Sequence, residues 1–167
     1  MSIYTKSGDT GITSIISEAS ISKADDRIEL LGTIDELSSF IGFAKLMAEE
    51  STKEKLSEIQ MDLILIMAGI ADTSNPDYII KEGKIKELEK EIDNIEGSFT
   101  RKKEFVLYGN CELSARLDIA RAVARRAERC LVKVKSHFEV NANTTIYMNR
   151  LSDYLYILAR FEDHKKG

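Results

Sequence analysis

The sequence predicts an all-helical bundle, and three observations carry that reading. Leu, Ile, Ala, Lys and Glu dominate a chain that has one proline, Pro76, a composition of helix formers with few breakers. Segments along most of the chain repeat apolar residues at steps of three and four, the imprint of helices with one buried face. The 167 residues, 43% hydrophobic and 31% charged, suffice for a single domain with a real core. No internal repeat, linker or low-complexity segment interrupts them.

Residues 1–22 stand outside the helical pattern. Ile3 to Ser14 is rich in Gly, Ser and Thr, and Gly8 and Gly11 allow positive φ and close backbone approach. Its hydroxyls and Lys6 suit phosphate oxygens, but an ordinary turn has the same composition. It is not a Walker A loop, since no Gly-x4-Gly-Lys-Ser/Thr is present. The first helix begins near Asp25 or Asp26, either of which could cap it. Leu30, Ile34, Leu37, Ile41 and Ala44 form its core stripe. Gly32 and Gly42 within it each cost about 1 kcal/mol against alanine and would permit close helix approach. Asp35 sits one residue off that stripe, as a surface carboxylate or as an ion-pair partner for an arginine on another helix or subunit.

The second helix covers about residues 52–73, with Leu56, Ile59, Leu63, Ile66 and Ile70 at helical spacing. Ile64, Leu65 and Met67 widen its apolar surface, so burial on more than one side is expected. Asn75-Pro76-Asp77 ends it. The third, about 82–96, has a narrow stripe of Ile85, Leu88 and Ile92, a solvated Lys/Glu face and Gly97 as its stop. Phe105-Val106-Leu107 is an apolar triplet in the following connection, either packed on the core or marking a site.

The fourth helix, roughly 112–138, buries Leu113, Leu117, Ala120, Ala124, Ala127, Leu131 and Val134. Arg121, Arg125 and Glu128 form a second stripe displaced by roughly 100° from the first, with Arg129 at its edge and Arg126 pointing away from the core. Guanidinium forks match carboxylate and phosphate oxygens, so the stripe suits a shaped anionic partner. A surface helix with Glu–Arg pairs is the plainer alternative. The last helix, about 144–163, gives Tyr147, Leu151, Leu155 and Leu158 to the core and gathers Asn149, Arg150 and Asp153 on one face.

The charge balance argues against several classes. A formal net charge of -4 offers no basis for non-specific binding to nucleic acid or to an anionic membrane. Cys111 and Cys130 are far apart and His137 and His164 lack an HExxH or Glu-x-x-His pattern, so neither a disulfide framework nor a protein-ligated zinc or di-iron centre is expected. The start lacks a signal-peptide core and no apolar run is long enough for a membrane span. A cytoplasmic location is the expectation.

Four segments, taken together, add more: Tyr4-Thr5-x-x-Gly8-Asp9-x-Gly11; Lys23-x-Asp25-x-Arg27 leading to Gly32-Thr33-x-Asp35-Glu36-Leu37; Phe105-Val106-Leu107 leading to Ala120-Arg121 and Arg125-Arg126-Ala127-Glu128-Arg129; and Asn149-Arg150-Leu151-Ser152-Asp153. In this order and spacing they resemble the PduO-type ATP:cob(I)alamin adenosyltransferases, from residue 4 to about residue 160.

The resemblance implies one corrinoid adenosyltransferase domain over 1–167, with 1–22 as an irregular ATP loop and 23–163 as a five-helix, ferritin-like bundle. It implies a homotrimer with active sites between subunits, ATP with magnesium, and cobalamin as the corrinoid substrate. A cobalamin reductase and an adenosylcobalamin-dependent enzyme are the protein partners such chemistry suggests. By position in the family motifs, Thr5, Lys6, Ser7, Gly8, Thr13 and Ser14 line the ATP loop and Lys23 reaches the phosphates. Arg125 is the main triphosphate clamp, with Arg126, Ala127, Glu128 and Arg129 in the same ATP-binding segment, and Asn149 contacts the nucleotide from the last helix. Asp35 and Arg121 match the family's ion pair across the subunit interface, and Phe105 an aromatic against the lower face of the corrin.

The chain departs from the family pattern in three places. Tyr108-Gly109-Asn110 stands where Pro-Gly-Gly is common, Asp118 where a histidine is common, and Ser38 where asparagine is frequent. Two other readings remain beside the enzyme: a non-catalytic sensor or delivery protein for ATP or adenosylcobalamin on the same trimeric bundle, and a structural assembly bundle that binds no nucleotide.

Overall fold

The computed structural model describes residues 4, 6, 8–101 and 104–166. A short antiparallel hairpin of β1 (Ile12–Ile15) and β2 (Glu18–Ser22) precedes five helices: α1 (Asp26–Lys45), α2 (Glu50–Ala71), α3 (Glu82–Ser98), α4 (Glu112–Lys135) and α5 (Ala142–Lys166). α4 packs on both α1 and α5, α3 lies on α5, and α2 lies on α1. α1 and α4 run antiparallel. Lys133 pairs with Asp26 at one end (2.6 Å), and Arg116 donates to the Phe43 carbonyl at the other.

The expected stripes form the core. Leu30, Ile34, Leu37 and Ile41 of α1, Leu56, Ile59 and Leu63 of α2, Leu117, Ala120, Ala124, Ala127 and Leu131 of α4, and Leu151 and Leu155 of α5 are wholly buried. Tyr147 is buried with them, and its hydroxyl donates to Asp62 Oδ2 (2.9 Å), whose other oxygen pairs with Lys84 (3.3 Å). Burial pushes the Tyr147 phenol far above its ordinary value, and the Asp62 charge adds to that, so the hydroxyl stays a donor.

Several local expectations are corrected. Residues 12–22 form the hairpin rather than an irregular loop. β-Branched Ile12, Thr13, Ile15 and Ile21 favour it, and Ser17 fixes it by donating from both its amide (3.1 Å) and its hydroxyl (2.8 Å) to the Ala71 carbonyl at the end of α2. α3 runs through Gly97 to Ser98. Leu65 and Met67 pack half-buried against the core as expected, but Ile64 and neighbouring Met61 are exposed on α2, so its widened apolar surface is covered only in part. Close approach occurs at neither Gly32, which faces open space, nor Gly42. It occurs at Gly69, where a Cβ would lie 2.4 Å from the Tyr78 carbonyl oxygen.

Arg27 ties three elements together. Asp25 caps α1 by accepting from the Arg27 amide (2.8 Å), and the Arg27 guanidinium grips Asp25 through Nε and Nη2 (3.0 Å each). The same Nη2 reaches Glu18 of β2, and the guanidinium lies 4.3 Å from the Phe138 ring centre. The hydrogen bond from the Arg27 side chain holds the Asp25 carboxyl below its usual range, against a smaller effect of burial. Asp25→Ala is expected to lower unfolding free energy by about 1 kcal/mol, read by urea denaturation at neutral pH. The carboxylate's contribution is fully present above its ordinary value of 3.8 and is lost as the pH falls through the lower native one. The gap between variant and parent therefore closes in acid.

Candidate functional site

The N-terminal loop is shaped by two residues with positive φ, Lys6 (62°) and Gly11 (81°). Asp9 N donates to the Lys6 carbonyl and Gly11 N to the Gly8 carbonyl (3.3 Å each), while Lys23 N donates to the Gly11 carbonyl (2.8 Å). The Lys23 ammonium rests on Gly8, where a Cβ would stand 2.8 Å from Nζ. Gly8 therefore gives the cation room against the backbone. Thr13 is half-buried and Ser14 exposed on β1. Thr5 and Ser7, also expected here, lie outside the described residues. Backbone turns around an ammonium are a setting for an oxyanion.

A second group stands on the flank of α4. The Arg125 side chain is exposed and has no hydrogen-bond or ion-pair partner among the described residues, while its carbonyl accepts from Arg129 Nη1 (3.0 Å). Arg126 pairs with Glu36 of α1. Ala127 is wholly buried, so its methyl serves the core. Glu128 accepts from Asn149 Nδ2 (2.8 Å), and Asn149 Oδ1 accepts from Arg150 Nη1 (2.9 Å). Arg150 Nε continues to Glu89 (2.8 Å). A carboxylate only accepts and a guanidinium only donates, so this chain of bonds fixes which way the Asn149 amide faces.

The third group surrounds the connection between α3 and α4. Phe105 is fully exposed and Leu107 nearly so. Asp118, buried on α4, accepts from Arg121 Nε (3.2 Å) and from Arg160 Nη2 of α5 (2.5 Å). Arg160 is 4% exposed and also donates through Nε to Asp163 (3.0 Å). Burial opposes its charge, but the hydrogen bond and charge of Asp118 prevail and raise its pKa. The guanidinium carbons of Arg121 and Arg160 lie 5.1 and 5.3 Å from the Tyr108 ring centre. Sequence reasoning missed the Asp118–Arg160 pair. Its one trace was an arginine inside the apolar run Ile157-Leu158-Ala159-Arg160-Phe161.

Among the described residues no hydrogen bond or ion pair joins the loop 6–14 to the arginines of α4, and none joins Asp35 to Arg121. The Asp35 side chain is exposed and unpaired among those residues. No set of three His, Cys, Asp or Glu side chains there gathers as a metal site. No described helix is long and apolar enough to cross a membrane.

The family model of cobalamin adenosyltransferases matches residues 3–162. The corrinoid adenosyltransferase PduO of Salmonella typhimurium is 40% identical over 169 residues, covering 98% of this chain and 50% of that protein. The corrinoid adenosyltransferase of Bacillus subtilis is 35% identical over 175 residues, covering all of this chain and 89% of that one. The chain thus spans half the length of the Salmonella relative and most of the Bacillus one. Among solved structures, a phenylalanine-to-histidine variant of the PduO-type ATP:corrinoid adenosyltransferase from Lactobacillus reuteri, complexed with cobalamin and ATP, superposes with a TM-score of 0.90 at 34% identity. That alignment covers 98% of this chain and 91% of the other.

Proposed function

Because the chain belongs to the cobalamin adenosyltransferase family, we propose that it transfers the 5′-deoxyadenosyl group of ATP to Co(I) of cobalamin, giving adenosylcobalamin and triphosphate. The Co(I) lone pair forms the Co–C bond at C5′ as the C5′–O bond breaks, and those bonding electrons leave with triphosphate. The attacking atom belongs to the corrinoid, so the protein's work is binding, orientation and charge stabilisation.

The observation that carries this reading is Arg125. It stands exposed and, among the described residues, unpaired, beside Arg126, which Glu36 occupies, in a protein of net charge -4. A guanidinium with no competing carboxylate among the described residues is available to the charge that grows on a departing triphosphate. Lys6, Gly8, Thr13 and Ser14, with Thr5 and Ser7, line the nucleotide site, and Lys23 reaches the phosphates. Arg126, Ala127, Glu128 and Arg129 complete the nucleotide segment, and Asn149, oriented by Glu128 and Arg150, meets the nucleotide from α5. Magnesium travels on the phosphate oxygens, an arrangement it favours where few carboxylates converge.

Phe105, exposed and free of the core, covers the lower face of the corrin and keeps water and the lower base from cobalt, which eases reduction of Co(II) to Co(I). Arg121 gives Nε to Asp118 and has its terminal nitrogens left for Asp35 of a partner subunit. Met61 and Ile64, exposed on α2, are apolar surface that assembly would cover, which supports a homotrimer with shared sites. A reductase that supplies Co(I) and an enzyme that consumes adenosylcobalamin are the protein partners the reaction calls for.

The deciding test is anaerobic mixing with ATP, magnesium and chemically reduced cob(I)alamin, followed by the visible spectrum and by photolysis of the product. ATP-dependent, light-sensitive adenosylcobalamin establishes the activity. Tight ATP binding without product points to the sensor or delivery protein. Arg125→Ala is expected to lower kcat/KM for ATP about 100-fold or more with the helical circular dichroism intact; near-parental activity rejects the clamp. Phe105→Ala is expected to slow the reaction started from Co(II) more than the one supplied with Co(I), and equal losses in the two assays refute the lower-face role. Sedimentation should give a trimer, whereas an active monomer rules out shared sites.

A further inference from the structure

We propose that Tyr108 and Asp118 form a latch that positions the Phe105 loop for the corrinoid, an inference that rests on the adenosyltransferase reading above. Neither residue touches a reacting atom, so both act as positioning residues.

The loop has little else to hold it between Phe105 and α4. From Phe105 to Asn110 no side chain makes a hydrogen bond or ion pair among the described residues. Beneath it lies a cavity of about 380 Å³ bordered by Phe99, Arg101, Val106, Asn110, Arg160 and Asp163. Val106 is half-buried at the edge of this cleft, so the loop is packed from below only in part. What reaches the helices is the Tyr108 ring, set beside the guanidinium of Arg121 on α4 and that of Arg160 on α5 at 5.1 and 5.3 Å. Both distances fall within the range in which an aromatic face attracts a cation.

Asp118 makes that arrangement possible. Two guanidiniums beside one ring repel each other, and the Asp118 carboxylate lies between them with one oxygen on each. It is 6% exposed, so water screens the pairing little. Arg160 is held a second time by Asp163 and serves as the fixed post. Arg121, nearer the surface, is the arm that Asp118 aims. Gly109, at φ 94°, turns the chain from Tyr108 toward Cys111 at the start of α4. Phe105 is three residues before Tyr108, at most about 10 Å along the chain, so the position of the ring limits where Phe105 can stand. The same Arg121 is the residue assigned to the subunit interface, which couples loop position to assembly at one guanidinium.

The test uses the full chain. Tyr108 is 59% exposed, so Tyr108→Ala leaves the core intact. Its amide hydrogen exchange over 104–110 should quicken, and its KM for cob(I)alamin should rise about 10-fold while KM for ATP stays within about twofold, the scale expected for two lost cation–π contacts. Tyr108→Phe keeps the ring and should restore both. Asp118→Asn should move both readouts in the direction of Tyr108→Ala. Unchanged loop exchange in Tyr108→Ala overturns the latch. Faster exchange with an unchanged KM for cob(I)alamin, or an equal rise in both KM values, overturns its role in placing the corrinoid. A parent protein that makes no adenosylcobalamin overturns the functional reading and the purpose given to the latch, while the exchange data still judge the latch as a tether.

Discussion

The burial of α4 between α1 and α5 determines where the cations of the site stand. Leu117, Ala120, Ala124, Ala127 and Leu131 are wholly buried, and at 3.6 residues per turn their positions leave Arg121, Arg125 and Arg129 along one flank. The magnitudes are unequal. A like-charge pair one turn apart costs a few tenths of a kcal/mol, whereas each fully buried leucine contributes about 1.5–3 kcal/mol. Core packing therefore fixes the rotation of the helix, and the arginine row is carried where that rotation places it. Glu36 of α1 meets α4 at Arg126 and Asn149 of α5 meets it at Glu128, two residues on and nearly opposite around the helix, so each neighbour takes its own side of α4.

The arginines differ in what already occupies them. Arg121 bonds to Asp118, Arg126 to Glu36, Arg150 to Glu89, and Arg160 to two aspartates. Arg125 has no such partner among the described residues. Exposed ion pairs contribute only about 0–1 kcal/mol, so leaving Arg125 and Arg129 without a carboxylate partner among the described residues sacrifices little stability. It does keep a cation ready without first breaking a bond. Lys23, resting on Gly8, is the matching cation of the N-terminal loop.

The helices were legible because a buried face writes its period directly into the sequence. Leu30, Ile34, Leu37, Ile41 and Ala44 needed no tertiary information to be placed inside. The hairpin was not legible, because its β-branched residues lie among Ser and Gly and its anchor, the Ala71 carbonyl, is 54 residues from Ser17. Ile64 misled for the opposite reason: an apolar residue reads as buried, and only the fold shows that the described residues leave about half of it exposed. In the candidate site, the arginine row followed from spacing and Asp35 was open between a surface carboxylate and an ion-pair partner, while the corrin-facing part expected of Phe105 came from the resemblance. The bond between Asp118 and Arg160 spans 42 residues, and no local pattern announces it.

The same long-range bond bears on how the Phe105 loop is held. A proline restrains a loop mainly by removing conformations from the unfolded chain, and its effect persists whatever the neighbouring side chains do. Tyr108, standing where the resembling family commonly has proline, restrains the loop by contact in the folded state. That hold depends on two guanidiniums remaining in place, and their spacing depends on one ionised carboxylate. Desolvation penalties for charged groups fall as temperature rises, so a tether built from charges set against an aromatic ring weakens less on heating than its exposed position suggests. It also gives way locally: losing Tyr108 frees the loop without opening the core, because Arg160 keeps Asp163 and Asp118 as partners.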